Sequence, residues 1–283
     1  MEGGDRVREA AARATVYSAL MSGPDAFFVP EGHRFVATEL TRGPWSNDHQ
    51  HGGPPSALMG RALERWGDDA ARFAVARVTV ELLRPVPIGP LDVEVEPMRI
   101  SRKAQRLTAR LVAGGVEVAR AFGLRIRLSE LDLPPARVAA RPPFGDPLLL
   151  PEFVFPFFQH PVAYHAAVDI RIARGEWGRG AAAAWMRLRV PVVAGEETSP
   201  LERTLAVADA ANGICPALDT AEFTFVNPDL TVALFRPAVG EWIGLDSRSL
   251  VVPAGTGLVT CGLVDADGEI GHILQSLVVD RRA

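Results

Sequence analysis

Runs of alternating apolar and polar residues dominate both halves of the chain. Alternation with a period of two is typical of a β-strand that buries one face. The first and second half each contain four such runs, which lie at residues 78–89, 91–100, 105–114 and 116–126, and at residues 230–240, 242–252, 257–268 and 269–280. Glycine-containing turns separate the last runs of each half and suit hairpins. Each half therefore predicts a long antiparallel sheet.

A stretch with helical spacing precedes the strands in each half. The second of these begins at Ser199, which can cap a helix, with Pro200 at the first helical position and Glu202 placed to complete a capping box. The apolar positions are Ala57, Leu58, Ala62, Leu63 and Trp66 in the first stretch and Leu201, Leu205 and Ala208 in the second. Each half thus predicts an α+β unit, in which a helix and a sheet bury their apolar faces against each other.

The two halves repeat each other at a fixed offset. The Arg-Pro pairs within the first strand-like run of each half begin at Arg84 and Arg236, an offset of 236 − 84 = 152. Thr79 and Thr231 share this offset, and the runs that follow keep the same order. Chance similarity between β-rich segments would not reproduce order, spacing and motif together. Internal duplication is therefore the better interpretation.

A proline-rich stretch at residues 134–151 separates the two copies. Proline has no backbone donor and disfavours helix in the residue before it, so regular structure is not expected there. We therefore expect two domains, at residues 1–130 and 152–283, joined by a linker at residues 131–151.

Composition narrows the class of protein. The chain has 283 residues, of which 48% are hydrophobic and 23% charged, close to the norm for a soluble globular protein. Its net charge of -4 gives no global electrostatic basis for binding nucleic acid. The sequence contains no apolar run long enough to span a membrane, and the first 20 residues predict a charged amphipathic helix rather than a signal peptide. A cytoplasmic protein fits best. Cys215 and Cys261 lack metal spacing, and two buried free thiols are a better interpretation than a disulfide.

The order of the elements, with HGG leading into the first helix, resembles the hotdog thioesterases. Two such units in one chain of this length resemble the bacterial acyl-CoA thioesterase II family, within the wider thioesterase-like superfamily. The resemblance implies a double hotdog, two tandem hotdog domains that each wrap an antiparallel sheet around a central helix. It implies an acyl-CoA substrate, hydrolysed to a free acid and CoA by an activated water without a cofactor. Association into a homo-oligomer is a further expectation from the resemblance.

The family's water-activating residues are an Asp on the second central helix, a Thr or Ser at the start of the strand that ends in Arg-Pro, and a Gln on the last strand. By resemblance, the Asp corresponds to Asp209 and the Gln to Gln275. The position of the Thr is occupied by Asn227, which departs from the family pattern. Asparagine has a donor and an acceptor and can still hold a water, but it has no hydroxyl group.

The same three residues stand out without the family. Asp209 continues the apolar stripe of the second helix, and Gln275 points to the buried face of the last strand. A polar group on a buried face needs a partner or a function. Structural roles remain open for Asp209 and Gln275, and Asn227 before a proline is also ordinary at a strand start. The matching residues of the first half are apolar, which suggests that the second half supplies the chemistry; they are Ala57, Val75 and Phe122.

The HGG segment is the candidate substrate-binding element. A helix N-terminus presents unpaired N–H groups, and the two prolines that follow have none, so Gly52 and Gly53 are the candidate donors. The alternative is that the glycines serve only the geometry of the turn. His51 can contact the ligand, or it can cap the helix as a structural residue. His49 and His51 lack a convincing third ligand, so we expect no metal site.

Two other functions remain open. A hotdog hydratase or dehydratase would need a paired Asp and His within a hydration motif, which the sequence does not display. A non-catalytic protein that binds acyl-CoA or lipid remains open because of Asn227, and fold alone does not decide between these functions.

Overall fold

The computed structural model of the protein describes residues 25–132 and 144–282. The expected N-terminal amphipathic helix and residues 133–143 of the expected linker lie outside the described residues. The helices are α1 (Gly53–Glu64), α2 (Pro200–Ala208) and α3 (Ala211–Ile214). The strands are β1 (Phe28–Glu31), β2 (Arg34–Ala37), β3 (Phe73–Leu82), β4 (Pro90–Ile100), β5 (Ala104–Ala113), β6 (Val116–Arg127), β7 (Val168–Gly175), β8 (Ala181–Leu188), β9 (Phe223–Val226), β10 (Asp229–Leu234), β11 (Ile243–Val252), β12 (Thr256–Asp265) and β13 (Gly268–Arg281).

The strands form one continuous antiparallel sheet across both halves. Their order is β1-β2-β4-β5-β6-β3-β10-β13-β12-β11-β8-β7, and β9 pairs with β13 outside this path. The two halves join where β3 pairs with β10. The fold is the expected double hotdog, with few helices and a dominant antiparallel sheet.

The strand pair at the centre of the sheet reflects the duplication. Thr79 of β3 lies directly opposite Thr231 of β10, and their hydroxyl oxygens are 3.1 Å apart. Because these residues hold equivalent places in the two copies, an approximate two-fold axis passes between them. The offset of 152 in the sequence thus appears as a symmetric contact in the structure.

The helices α1 and α2 pack against each other inside this sheet. They pack tightly at Gly60, where an added Cβ would lie 2.1 Å from a methyl carbon of Leu205. The predicted apolar stripe of α2, with Leu201, Leu205 and Ala208, is buried. Helix α1 rests on the strands of the first half and α2 on those of the second, as the hotdog arrangement requires.

Several local predictions differ from the structure. Helix α1 ends at Glu64, before Trp66, because the chain turns at Gly67 with a φ of 76°. The hydroxyl of Ser199 does accept the N–H of Glu202, but the Glu202 carboxylate contacts Arg65 instead of completing a capping box. The described part of the linker contains a short 3-10 turn at Pro147–Leu149.

Strands β1, β2, β7, β8 and β9 were not predicted, since these short or alanine-rich segments show weak alternation. Cys215 and Cys261 are buried free thiols. Within the described residues, the helices are too short and too polar to cross a membrane.

Candidate active site

A cavity of about 590 Å³ opens where the two halves meet. Its wall combines the HGG segment and the end of β3 from the first half with the end of α2 and the β9–β10 connection from the second. Asp209 and Asn227 lie on this wall together with His51 and Gly52. Segments far apart in the sequence thus meet around one volume, as ligand sites commonly do.

Asp209 is the carboxylate of the cavity. It is the C-cap of α2, where the helix ends and the chain turns into α3, and it is only 7% exposed. Its Oδ1 accepts hydrogen bonds from the Nδ2 of Asn227 at 2.7 Å and from the Nε2 of Gln275 at 3.4 Å. Its Oδ2 lies 3.1 Å from the Nδ1 of His51. The three polar residues singled out in the second half are therefore in direct contact.

Gln275 stands behind the carboxylate rather than on the cavity wall. Its side chain is fully buried, as the alternation of β13 predicted. The Nε2 also donates to the backbone oxygen of Asp209 at 3.2 Å, and the Oε1 accepts the N–H of Asn212 at 3.1 Å. The amide thus bridges the break between α2 and α3 and fixes the orientation of Asp209.

Asn227 occupies the connection between β9 and β10. Its Nδ2 donates to Asp209 and to the backbone oxygen of Asp229 at 3.2 Å, so both amide hydrogens are used. The atom left for a ligand or a water is the acceptor Oδ1. The sequence predicted that Asn227 would offer a ligand both a donor and an acceptor, whereas the structure leaves only the acceptor free.

His51 connects the HGG segment to Asp209. Its Nδ1 accepts the N–H of Gly53 at 3.1 Å and also faces Asp209. The imidazole stacks on the ring of Tyr164, with centroids 3.8 Å apart and planes 1° from parallel. Burial lowers the pKa of His51, and the charge of Asp209 opposes this shift more weakly. The lowered pKa keeps the imidazole neutral near pH 7.

Gly52 allows the two halves of the site to approach. An added Cβ there would lie 2.8 Å from the Oδ2 of Asp209 and 2.9 Å from its Cγ. The Gly53 N–H is already bonded to His51, whereas for the Gly52 N–H the described residues provide no hydrogen-bond partner. Of the two donors expected from the sequence, Gly52 is therefore the one available to a ligand.

The duplicated arginines differ between the halves. Arg236 forms a two-pronged ion pair with Asp265, and the position of Asp265 in the first half is occupied by Ala113. Its counterpart Arg84 is exposed on the wall of the cavity, and within residues 25–132 and 144–282 its guanidinium has no ion pair. One copy of the arginine stabilises the fold, while the other remains available at the cavity.

The cysteines do not offer a nucleophile. Burial raises the pKa of Cys215 and of Cys261 to about 12, so neither thiol ionises near neutral pH.

Sequence reasoning missed two features of this site. Tyr164, whose hydroxyl donates to the oxygen of Ala206 at 2.9 Å, supports both His51 and the end of α2. Sequence reasoning also missed the aromatic side chains of the cavity wall, although the run EFVFPFF at residues 152–158 was a visible signal.

Two family models match the chain. The one described as acyl-CoA thioesterase N-terminal domain matches residues 41–126, and the one described as acyl-CoA thioesterase C-terminal domain matches residues 133–279. A search of curated proteins found no match.

Solved structures with low identity share the fold. A thioesterase II candidate from Thermobifida fusca is 15% identical, with a TM-score of 0.69, over 91% of this chain and 96% of its own. A hot dog protein of unknown function from Alicyclobacillus acidocaldarius is 19% identical, with a TM-score of 0.66, over 92% and 97%. A TesB protein from Mycobacterium avium subspecies paratuberculosis is 16% identical, with a TM-score of 0.62, over 96% and 99%. At these identities the likeness shows the fold alone.

Proposed function

The chain belongs to the acyl-CoA thioesterase family, and from this premise we propose that it hydrolyses acyl-CoA thioesters with a water activated by Asp209. The observation that carries the proposal is the buried carboxylate of Asp209 on the cavity wall, held by Asn227 and Gln275 and facing the N-terminus of α1. A carboxylate kept in one orientation beside a free N–H donor, that of Gly52, is the arrangement that hydrolysis of a thioester needs.

Each polar group of the site has one role in the proposed reaction. Asp209 takes a proton from water as the water oxygen bonds to the thioester carbon, and general base catalysis of this kind contributes about 100- to 10,000-fold. The Gly52 N–H, at the positive end of α1, stabilises the charge that develops on the carbonyl oxygen. The C–S bond then breaks, and the thiolate of CoA takes up a proton from the site or the solvent. Gln275 acts as a positioning residue.

His51 acts as a second positioning residue. Its Nδ1 lies 3.1 Å from the Oδ2 of Asp209 and 3.1 Å from the backbone N of Gly53. The imidazole therefore holds the carboxylate beside the N-terminus of α1.

Arg84 supplies the recognition of CoA. Phosphate groups bind arginine through short, charge-assisted hydrogen bonds. Because the guanidinium of Arg84 has no ion pair within the described part of the chain, and because it lies at the cavity that holds Asp209, it is placed to bind a phosphate while the thioester enters.

The test is Asp209→Asn, which keeps the shape of the side chain and removes the base. Release of free CoA should fall about 100- to 10,000-fold in kcat, while the acyl-CoA affinity and the urea midpoint stay near those of the native protein. Asp280→Asn, an exposed carboxylate on the same strand as Gln275, is the control and should change nothing. Near-native turnover by Asp209→Asn with unchanged stability would contradict the assignment. Binding of acyl-CoA without any turnover in the native protein would favour a binding role instead.

One observation favours a second candidate, hydration of a 2-enoyl-CoA. The sequence shows no paired Asp and His, yet the structure brings His51 and Asp209 to 3.1 Å. Crotonyl-CoA distinguishes the two activities, since hydration removes the enoyl absorbance without releasing a thiol. Loss of that absorbance with no thiol released would favour hydration over hydrolysis.

A further inference from the structure

Aromatic rings form one wall of the cavity that contains Asp209. Five of the chain's 20 aromatic residues line it: Trp45, Phe155, Phe157, Phe158 and Phe225. The three Phe side chains at 155–158 belong to the irregular segment before β7, while Trp45 comes from the first half of the chain. We call these five residues the aromatic wall.

Four rings of the aromatic wall share one orientation, whereas the plane of Phe225 is 84° from that of Trp45. The plane of Trp45 is 2° from that of Phe157, with the centroids 6.4 Å apart. Phe155 and Phe158 are tilted by only 28° and 26° from Phe157. A flat group that stacks on one of these faces therefore lies nearly parallel to the others as well. A zigzag alkyl chain or a puckered ring contacts such faces through fewer atoms at once and lacks the aromatic stacking interaction.

The aromatic wall lies close to the carboxylate in the same cavity. Gly213 of α3 follows Asp209 by four residues, and both line this cavity. An added Cβ on Gly213 would lie 3.6 Å from the rings of Phe155 and Phe157. The aromatic wall thus begins beside the segment that carries the base, where a ring near the thioester carbonyl can reach it.

The aromatic wall is held rigidly, and part of it is uncovered. The backbone N–H of Phe153 bonds to Ile170 at 2.8 Å, and Trp177 donates to the oxygen of Gly213 at 2.9 Å while stacking on Phe157. Phe155 is buried, whereas Trp45 is 40% exposed. An exposed tryptophan beside a cavity is apolar surface that a ligand can cover.

We propose that this cavity selects acyl groups that carry an aromatic ring close to the thioester, as in arylacetyl-CoA. The proposal rests on the proposed function of the same site, since it names the acyl group that Asp209 would act on. Stacked aromatic pairs gain up to about 1.4 kcal/mol beyond the burial of area, which corresponds to roughly 10-fold in kcat/KM.

Three acyl-CoAs with eight-carbon acyl groups test this proposal: phenylacetyl-CoA, cyclohexylacetyl-CoA and octanoyl-CoA. Since the carbon number is constant, a difference reports the flat ring. We expect kcat/KM for phenylacetyl-CoA to exceed that of the other two by roughly 10-fold. Equal values for the three substrates, or preference for octanoyl-CoA, would overturn the proposal.

Substitutions test whether the preference for phenylacetyl-CoA arises from the aromatic wall. Phe157→Leu keeps the apolar character but removes the flat face, so it should lower kcat/KM for phenylacetyl-CoA to that of cyclohexylacetyl-CoA and remove the preference. Phe235→Leu, at an aromatic residue that is 60% exposed outside the cavity, is the matched control and should keep the preference. A Phe157→Leu protein that retains the full preference would also overturn the proposal.

The acyl preference can be tested even if the proposed hydrolysis is wrong. If the native protein hydrolyses none of the three thioesters, calorimetric binding of the same compounds still decides the question of the acyl group. Tighter binding of phenylacetyl-CoA than of octanoyl-CoA would then support the aromatic preference, and equal affinities would overturn it.

Discussion

Replacing Gly52 by alanine tests how closely catalysis depends on the position of the carboxylate. Gly52 has φ and ψ of -67° and -17°, a helical conformation that alanine adopts without strain. Its methyl group, however, would lie 2.9 Å from the Cγ and 2.8 Å from the Oδ2 of Asp209. Since carbon atoms prefer contacts of about 3.5 Å or more, the carboxylate must move by about 0.6 Å.

That movement acts directly on the base. Asn227, Gln275 and His51 hold the carboxylate, so a shift of this size lengthens at least one of these contacts. Misplacement of a reacting group by about 1 Å can cost about 100-fold in rate. We expect kcat of Gly52→Ala to fall by about 10- to 100-fold. Stability should fall by less than the 1–3 kcal/mol or so of an overpacked core, because the atoms that must move belong to a side chain and not to the backbone.

The neighbouring glycine provides a matched comparison. A Cβ on Gly53 would lie 2.2 Å from the backbone oxygen of Ala206, which cannot rotate away. The helices α1 and α2 must separate, and overpacking of this kind costs about 1–3 kcal/mol or more. Gly53→Ala should therefore lose stability first.

The assay combines thiol release, which gives kcat and KM, with urea unfolding of both variants. The reasoning would be refuted if Gly52→Ala kept full turnover with native stability. It would equally fail if Gly52→Ala lost as much stability as Gly53→Ala, since its lower rate would then report unfolding.

Three other changes have defined outcomes. Asn227→Thr restores the residue of the family and should keep or raise kcat, and a loss above about 10-fold at unchanged stability would show that the amide is required. Arg84→Ala should raise KM for acyl-CoA by about 10-fold with kcat retained, and the effect should shrink in high salt; an unchanged KM would argue against phosphate binding. Burial raises the pKa of Glu202 to about 7. Ionisation of this side chain therefore lowers the free energy of unfolding as the pH rises from about 4.5 to about 7, and below about pH 4.5 it has no effect. Glu202→Gln should therefore raise the free energy of unfolding by about 1–3 kcal/mol at pH 8, with the gain vanishing towards pH 4.5, as urea titrations at several pH values can measure.

The sequence by itself determined the repeated part of the fold. Alternation persists in any sheet that buries one face, so β4 to β6 and β11 to β13 were predicted close to their bounds. β3 and β10 end at Leu82 and Leu234, before the Arg-Pro pairs that the predicted runs included. The offset of 152 correctly paired Thr79 with Thr231, because equivalent residues of two symmetric copies meet at the axis between them. Asp209 and Gln275 were recognisable because a polar residue on an apolar face breaks a local pattern.

Only the tertiary structure decided how these residues meet. His51 and Asp209 are 158 positions apart, 209 − 51, and no local period relates them, yet packing of α1 against α2 brings them to 3.1 Å. The same packing bonds the Gly53 N–H to His51, whereas the Gly52 N–H has no hydrogen-bond partner within the described residues. The sequence cannot distinguish these two adjacent glycines. The aromatic wall joins Trp45 of one half to Phe157 of the other, since each side chain follows its own backbone and only the folded sheet places the two at one cavity.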